Sequence, residues 1–302
     1  MADAATHLAA KTNLTSDEVA RYRRDGYVIV PDLLNEAELV QLRRVIADVI
    51  AGAAEVKTHT DVYDLEPGHT RAKPRVRRIK TPHKVHPAFD AVIRKPEVIG
   101  VLQALLGPTL RLHGSKLNLK SANYGSPVEW HQDWAFYPHT NDDILAVGVM
   151  LDDMTLENGP LLVTPGSHLG PVRNHHAEDG RFCGAVDPAE IKADIARAVP
   201  VLGRAGSMSF HHVRLLHGSA TNVSDRPRNL LLYEVAASDA WPLVNWKGLE
   251  EFDSRLLVGP PTLEPRLLPL PVRMPYPPAL HQGSIYENQT GTKRTYFAKA
   301  AA

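Results

Sequence analysis

The chain has 302 residues, of which 43% are hydrophobic and 23% charged, so we expect a soluble globular protein with a substantial core. Thirty-four basic residues balance 34 acidic ones, which argues against nucleic acid as a partner. The single cysteine, Cys183, excludes an internal disulfide and Cys-rich metal sites, and is typical of a cytoplasmic protein. No apolar run is long enough for a membrane span or a signal peptide, so no membrane association is expected.

The first hundred residues are predicted to be mainly helical. Thr15 and Glu18 have the spacing of a capping box, and Gly26 is placed to end the helix that they begin. A short strand over 27–30 follows. A second helix starts near Asn35, and its apolar stripe has helical spacing: Leu39, Leu42, Ile46, Val49 and Ile50.

Two further helical or loop segments complete this N-terminal part, which we place at about residues 15–107. Polar residues with Gly and Pro over 57–70 predict a loop, and helical spacing over 87–106 predicts a third helical region. Between them lies a basic run in which alternation would put four residues on one face: Arg71, Lys73, Arg75 and Arg77. The run favours an edge strand protected by charge. The alternative is a basic rim for an anionic substrate such as a carboxylate, phosphonate or acyl-CoA.

Short strands dominate the next part, at about residues 109–237. Apolar runs separated by Gly, Pro, Asn and Ser predict strands at 110–119, 128–134, 144–151, 161–164, 207–216 and 228–235. A helical insertion is expected at about 188–198. This pattern predicts a mainly β fold with flanking helices, built on a sandwich or barrel.

The C-terminal part, about residues 258–302, is rich in proline. We expect it to wrap the body without regular structure. Because no linker separates it from the preceding parts, residues 1–302 are predicted to form one domain.

The strongest chemical signal is the segment Trp130-His131-Gln132-Asp133-Trp134. In a strand, residues i and i+2 lie on the same face, so His131 and Asp133 would point together. With a histidine from another strand they would form a facial triad, which leaves three positions on Fe(II) for a bidentate co-substrate and O2. The alternative is an ordinary hydrogen-bonded surface pair.

A pair of this kind is weak evidence by itself. His59 with Asp61, and His176 with Glu178, have the same spacing. Both lie in polar stretches without strand patterning, so we interpret them as chance occurrences.

His217 is the candidate third ligand because it lies on a later strand, although His211 has the same parity and is the alternative ligand. His217 could also be a core histidine. Eleven residues further, Arg228 opens an apolar strand, where a buried guanidinium needs a carboxylate partner and can bind it bidentately. We therefore predict that Arg228 binds the distal carboxylate of 2-oxoglutarate and that Ser219 donates to it. A structural ion pair of Arg228, or anchoring by Arg226, is the alternative.

Aromatic residues follow the metal-binding segment and are candidates for lining a substrate pocket: Trp134, Phe136, Tyr137 and His139. For Trp134 a place in the core is nearly as well supported. Trp241 and Trp246 are candidates for a lid, with surface packing as the favoured interpretation.

Taken together, these motifs resemble the phytanoyl-CoA dioxygenase family, which includes ectoine hydroxylase. The resemblance covers about residues 15–237 and also includes two turn segments, 156–161 and 165–168. It implies a double-stranded β-helix, or jelly-roll, core of the cupin type. It also implies Fe(II), 2-oxoglutarate as co-substrate, O2, and stimulation by ascorbate.

By position, the resemblance implies iron ligation by His131, Asp133 and His217, and contacts to 2-oxoglutarate from Arg228, Ser219 and Asn118. Tyr137, Trp134 and Lys120 are the candidate substrate-pocket residues. Lys120 is followed by Ser121 and Ala122, where ectoine hydroxylases have a Pro-Gly pair, so ectoine is not the expected substrate. The retained Asp133 disfavours halogenation.

The expected function is hydroxylation, or another oxidation, of an unactivated C–H bond in a small metabolite, with release of succinate and CO2. One alternative is a cupin-like dioxygenase or isomerase that does not use 2-oxoglutarate. Another is a jelly roll that binds a ligand without catalysis. A monomer or a homodimer is expected.

Overall fold

The computed structural model describes residues 14–280 and 283–297. Its α-helices are α1 (Ser16–Asp25), α2 (Glu36–Gly52), α3 (Pro82–Val85), α4 (Pro87–Ile93), α5 (Pro96–Leu106), α6 (Lys192–Ile195), α7 (Leu249–Asp253) and α8 (Ile285–Asn288). Short 3-10 turns lie at Ala53–Glu55, Asp133–Ala135, Ser167–Leu169, Pro188–Glu190 and Gln289–Gly291. Among these described helices, none is long and apolar enough to cross a membrane.

Two helices begin with capping boxes, at the positions where the sequence predicts that they start; the sequence predicted the box itself for the first helix alone. The Thr15 side chain accepts a hydrogen bond from the Glu18 backbone N–H, and the Thr15 backbone N–H donates one to the Glu18 carboxylate. Asn35 and Glu38 form the same pair of bonds at the start of α2. Helix α1 ends at Gly26, whose φ of 82° is the left-handed conformation that glycine adopts without strain. The sequence prediction is confirmed for both helices.

The strands are β1 (Tyr27–Val30), β2 (Tyr63–Leu65), β3 (Val76–Lys80), β4 (Leu110–Lys120), β5 (Val128–His131), β6 (Ile144–Met150), β7 (Leu161–Val163), β8 (Val199–Val201), β9 (Met208–His212), β10 (His217–Ser219), β11 (Arg228–Ala237) and β12 (Leu256–Val258). They pair antiparallel in two sheets. The larger has the order β1-β9-β6-β11-β4-β3-β2, with β12 also on β4, and the smaller has the order β5-β10-β7-β8. This is the expected jelly roll with flanking helices.

Alternation along the central strands separates a helix-facing side from a cavity-facing side. Leu231 and Tyr233 of β11 pack into the core formed with the N-terminal helices. Leu230 and Leu232, on the opposite face, pack against residues of the smaller sheet such as Val163. The space between the two sheets therefore receives every second residue of β4 and β11.

Several predicted elements differ from the structure. The predicted loop 57–70 contains β2, and the helical region 87–106 is split into α4 and α5, since Pro96 begins a new helix instead of continuing the old one. The predicted strand 128–134 ends at His131. The predicted strand 207–216 ends at His212, and His217 starts a separate strand.

The basic run does not form a charged edge strand, because β3 lies between β2 and β4. It does not form one basic face either. Arg71 precedes the strand and pairs with Glu55 at 2.8 Å, whereas the Arg75 guanidinium lies 4.7 Å from the centroid of the Tyr124 ring.

The proline-rich tail lacks regular structure from residue 259 to 280, as predicted, but α8 was not predicted. Residues 281–282 and 298–302 of that tail, and residues 1–13, lie outside the described residues.

Candidate metal centre and co-substrate pocket

His131, Asp133 and His217 come together between the two sheets. His131 at the end of β5 is the direct register partner of His217 on β10. The ligand atoms of the three residues lie within 4.8 Å of one another, and all three side chains are buried. The sequence had suggested that Asp133 shares a strand face with His131, and this prediction was wrong. Asp133 approaches from the 3-10 turn that follows β5.

The two imidazoles are oriented for metal binding. His131 Nδ1 lies 2.8 Å from the Glu129 carbonyl oxygen, and His217 Nδ1 lies 2.9 Å from the Leu215 carbonyl oxygen. Donation from each Nδ1–H to its carbonyl leaves the Nε2 lone pair free for a metal. Burial lowers the pKa of His131 to about 4 and lowers the pKa of His217, so both rings are neutral, as a metal ligand must be.

Asp133 is ionised. Burial by itself would raise the pKa of Asp133, but the nearby Lys116 ammonium opposes that effect, and the pKa lies well below the usual value. Lys116 Nζ lies 3.9 Å from Asp133 Oδ1 and 2.9 Å from Glu234 Oε1. Two neutral imidazoles and one carboxylate form a donor set that fits Fe(II).

A cationic group of residues lies at the other end of the same cavity. Arg228 is 2% exposed and donates to the Gly159 carbonyl, and its Nε has no hydrogen-bond partner within the described residues. Lys120 Nζ lies 2.9 Å from Ser219 Oγ. Arg228, Lys120, Ser219 and Asn118 all line the cavity that contains the triad. Arg226, the alternative anchor, is solvent-exposed.

Glycine is required beside Arg228. Gly159 has a φ of 68°, and a Cβ there would lie 2.4 Å from the Ala220 carbonyl oxygen. The absence of a side chain at Gly159 lets its backbone pack against the segment around Ala220. In this position the Gly159 carbonyl reaches the Arg228 guanidinium.

Two of the candidate pocket residues lie outside the cavity lining. Trp134 packs in an apolar cluster with Ile144 and Val213, and its indole N–H donates to the Pro271 carbonyl at 3.1 Å. Trp134 therefore lies in the core, which is the alternative that the sequence left open. Tyr137 packs beside His113, with 4.7 Å between the ring centroids. Burial and the nearby Asp133 carboxylate raise the pKa of Tyr137.

Some residues of the site were not predicted. Ile285 and Tyr286 of α8 line the cavity from the tail, and Lys116 lines it from β4. Lys116 has the same strand parity as Asn118 and Lys120, and that signal could have found it. The only sequence signal for α8 is the capping-box spacing of Ser284 and Glu287.

A second group of possible ligands involves one of the chance pairs. His59, Asp64 and Glu287 have ligand atoms within 4.8 Å of one another, whereas Asp61 takes no part. Glu287 is already paired with Arg77, and Asp64 lies 2.8 Å from Lys80 Nζ. Because cations of the protein already neutralise these carboxylates, the group does not need a metal.

Comparison with known proteins gives consistent matches. Residues 22–230 match the model of the family described as phytanoyl-CoA dioxygenase (PhyH). A probable alpha-ketoglutarate-dependent hypophosphite dioxygenase from Stutzerimonas stutzeri is 34% identical, over 93% of this chain and 99% of its own length. An ectoine dioxygenase from Bordetella parapertussis is 28% identical, over 71% of this chain and 73% of its own. The apo structure of EctD from S. alaskensis has a TM-score of 0.63 and 25% identity, covering 74% of this chain and 78% of its own.

The jelly roll and its buried triad are therefore those of a non-haem, 2-oxoglutarate-dependent dioxygenase that acts on a small molecule. The chain belongs to the phytanoyl-CoA dioxygenase family. Its cofactor is iron and its co-substrate is 2-oxoglutarate, which sets aside a jelly-roll enzyme without 2-oxoglutarate and a non-catalytic binding protein.

Proposed function

We propose that this dioxygenase oxidises a small anion that binds beside the iron. In this proposal His131, Asp133 and His217 hold Fe(II), and Arg228, Lys120, Ser219 and Asn118 hold 2-oxoglutarate. When bound, iron and 2-oxoglutarate supply the oxidising chemistry, in which decarboxylation to succinate and CO2 accompanies transfer of one oxygen atom of O2 to the substrate. The protein binds and orients the reactants and excludes water.

The observation that carries the proposal is the charge of the cavity lining. Three cations, Lys116, Lys120 and Arg228, line it against one carboxylate, that of Asp133. The two positive charges of Fe(II) and the two negative charges of 2-oxoglutarate cancel, so the excess of positive charge remains when both are bound. Glu234 compensates part of it through Lys116. A buried excess of this sign favours an anionic substrate.

Position and size also favour a small anion. Burial would lower the pKa of Lys116, but Glu234 and Asp133 outweigh it and raise the pKa, so its ammonium is charged next to the metal ligands. Because the same cavity must also hold Fe(II) and 2-oxoglutarate, the space that remains beside the metal ligands favours a compact ion over an acyl-CoA. The hypophosphite dioxygenase relative acts, by its name, on such an ion.

The reaction would then insert oxygen into a P–H or C–H bond. For hypophosphite, one oxygen atom of O2 converts P–H to P–OH and gives phosphite, while the other oxygen atom enters succinate. For a small phosphonate or carboxylate, the same step converts C–H to C–OH. Each turnover consumes one 2-oxoglutarate and one O2.

A substrate panel tests this proposal. Hypophosphite, methylphosphonate, ectoine and L-proline are each added to enzyme with Fe(II), 2-oxoglutarate, O2 and ascorbate, and succinate release is measured against product formation. We expect one of the two phosphorus anions to stimulate succinate release at least tenfold over the uncoupled rate, with one product per succinate. Stronger stimulation by ectoine or L-proline than by either anion would contradict the proposal.

We further infer that the enzyme works in the cytoplasm as a monomer or homodimer and that ascorbate maintains its activity by keeping iron ferrous. Cys183 is buried and unpaired, which agrees with a reducing compartment. Omission of ascorbate from the same assay should shorten the linear phase of succinate release.

A further inference from the structure

The side chain of His211, which lies beside the metal-binding residues, forms no hydrogen bond with any of the described residues. His211 lies on β9, opposite Ala146 of β6 and Tyr27 of β1. Its side chain lines the metal cavity and is 1% exposed. Within the described part of the chain, neither Nδ1 nor Nε2 has a hydrogen-bond partner.

Four nearby imidazoles, by contrast, have hydrogen-bond partners. Nδ1 of His131, His217 and His139 each meets a backbone carbonyl, at 2.8, 2.9 and 2.7 Å. His212, next in sequence, faces the other side of the strand, and its Nδ1 accepts a hydrogen bond from the Arg214 backbone at 3.1 Å. A buried polar group without a partner costs free energy, so we expect His211 to bind a group that the described part of the chain does not provide.

The surroundings of His211 indicate what that partner is. His211 Nε2 lies 3.8 Å from Asp133 Oδ2, which is beyond hydrogen-bond distance, and the ring centroid is 4.8 Å from that of His217. His211 is not one of the three residues, His131, Asp133 and His217, whose ligand atoms lie within 4.8 Å of one another. Lys116 approaches the same carboxylate at Oδ1. An imidazole and an ammonium thus flank the metal ligand Asp133, each able to donate to an oxyanion.

We propose that His211 is a specificity-determining residue that binds the substrate oxyanion through a ring N–H, together with Lys116. This inference rests on the proposed function, since it assigns a binding partner to the same small anion. Loss of a hydrogen bond to a charged ligand weakens binding about 10- to 100-fold. The imidazole would therefore select against substrates without an acceptor at this position, because they would leave it unpaired.

The test measures anion binding in the absence of O2, so that no turnover occurs. Hypophosphite and methylphosphonate are titrated by calorimetry into the enzyme loaded with Fe(II) and 2-oxoglutarate, for wild type, His211→Phe and His211→Gln. Phenylalanine keeps a ring of similar size without a donor, and glutamine restores a donor. His212→Phe, the same change on the opposite face of the strand, is the matched control.

We expect the Kd of the bound anion to rise roughly 10- to 100-fold in His211→Phe and less in His211→Gln. His212→Phe should bind the anion as wild type does. The affinities of the His211 variants for Fe(II) and 2-oxoglutarate should stay within about threefold of wild type, as expected for a residue that contacts neither. If His211→Phe does not fold, His211→Leu takes its place with the same expectation.

Two results would overturn the inference alone: unchanged anion affinity in His211→Phe, or loss of Fe(II) in parallel with loss of the anion. No binding of either anion by wild type would overturn the inference and the proposed function together. Failure of the proposed function alone looks different. In that case the wild-type enzyme binds an anion and the Kd changes as expected, yet O2 produces neither oxidised anion nor stimulated succinate release.

Discussion

The charge of Lys120 links co-substrate binding to pH. Burial lowers the pKa of this lysine well below its usual value, and the nearby Arg228 guanidinium lowers it further. A carboxylate bound between the two cations would favour the charged ammonium and raise the pKa again. Binding of 2-oxoglutarate should therefore be accompanied by proton uptake at any pH between the two pKa values.

The sign of the pH dependence follows from this uptake. Below the pKa of the free enzyme, Lys120 is already charged and the affinity for 2-oxoglutarate is constant. Above it, each bound 2-oxoglutarate requires a proton, so Kd should rise with pH, by up to tenfold per pH unit. Anaerobic calorimetry in buffers of different ionisation enthalpy measures the Kd for 2-oxoglutarate and the number of protons taken up. Lys120→Met, which cannot titrate, is expected to abolish the uptake. A pH-independent Kd without proton uptake in wild type would contradict the assignment.

At the level of single residues, the sequence predicted the three residues that converge between the sheets from the His-x-Asp spacing and a histidine on a later strand. It predicted the buried Arg228 because a charged residue there opens an apolar strand. The prediction that Asp133 shares a strand face with His131 was wrong, because alternation was extended past His131, where β5 ends. Trp134 packs in an apolar cluster, which is the alternative that the sequence had left open. The unpartnered state of His211 was not predictable, since hydrogen bonding of a buried ring depends on its tertiary neighbours.

Helix α8 covers the co-substrate end of the cavity. Tyr286 lines the cavity, and the Arg77 guanidinium of β3 lies 4.9 Å from the centroid of its ring. The adjacent Glu287 accepts a hydrogen bond from Arg77 and lies 3.4 Å from His59 Nε2. The Glu287 side chain therefore ties the C-terminal tail to the body of the protein next to Arg228.

Glu287→Gln should weaken this attachment without unfolding α8, since glutamine can also complete a capping box with Ser284. Loss of a partly buried ion pair is expected to cost about 1 kcal/mol, so the KM for 2-oxoglutarate should rise several-fold while Tm changes little. Steady-state kinetics measures the KM for 2-oxoglutarate, and calorimetric melting measures the Tm.

The matched control is Glu178→Gln, which removes an exposed ion pair between the body and Lys293 of the same tail. This variant should leave the KM unchanged. Equal effects of the two substitutions, or an unchanged KM in Glu287→Gln, would show that α8 does not cover the co-substrate.

Elements with a local signal were predictable, and those held by tertiary contacts were not. A capping box predicted the start of α1, an apolar stripe with helical spacing predicted α2, and apolar runs between turn residues predicted β4, β6 and β11. The short β2 lies in a polar stretch and exists because β3 offers it a pairing edge. The tail helix α8 has four residues, too few to be stable without the contacts of Tyr286 and Glu287.

Across the whole molecule, charge is balanced in number but not in place. The 34 basic and 34 acidic residues give no net field, which agrees with a small molecule as substrate. The separation arises within the fold, where β4 and β11 put Lys116, Lys120 and Arg228 on the face between the sheets. We infer that the N-terminal helices, the jelly roll and the tail form a single domain, because residues from the sheets and from α8 line the same cavity.

The most direct test of this account is the position of iron in crystals of the anaerobic complex with Fe(II) and 2-oxoglutarate, located by anomalous scattering at the iron edge. We predict one ferrous ion bound by Nε2 of His131, Nε2 of His217 and a carboxylate oxygen of Asp133, with the distal carboxylate of 2-oxoglutarate at Arg228. Iron at His59, Asp64 and Glu287, or iron bound by His211 in place of His217, would contradict it.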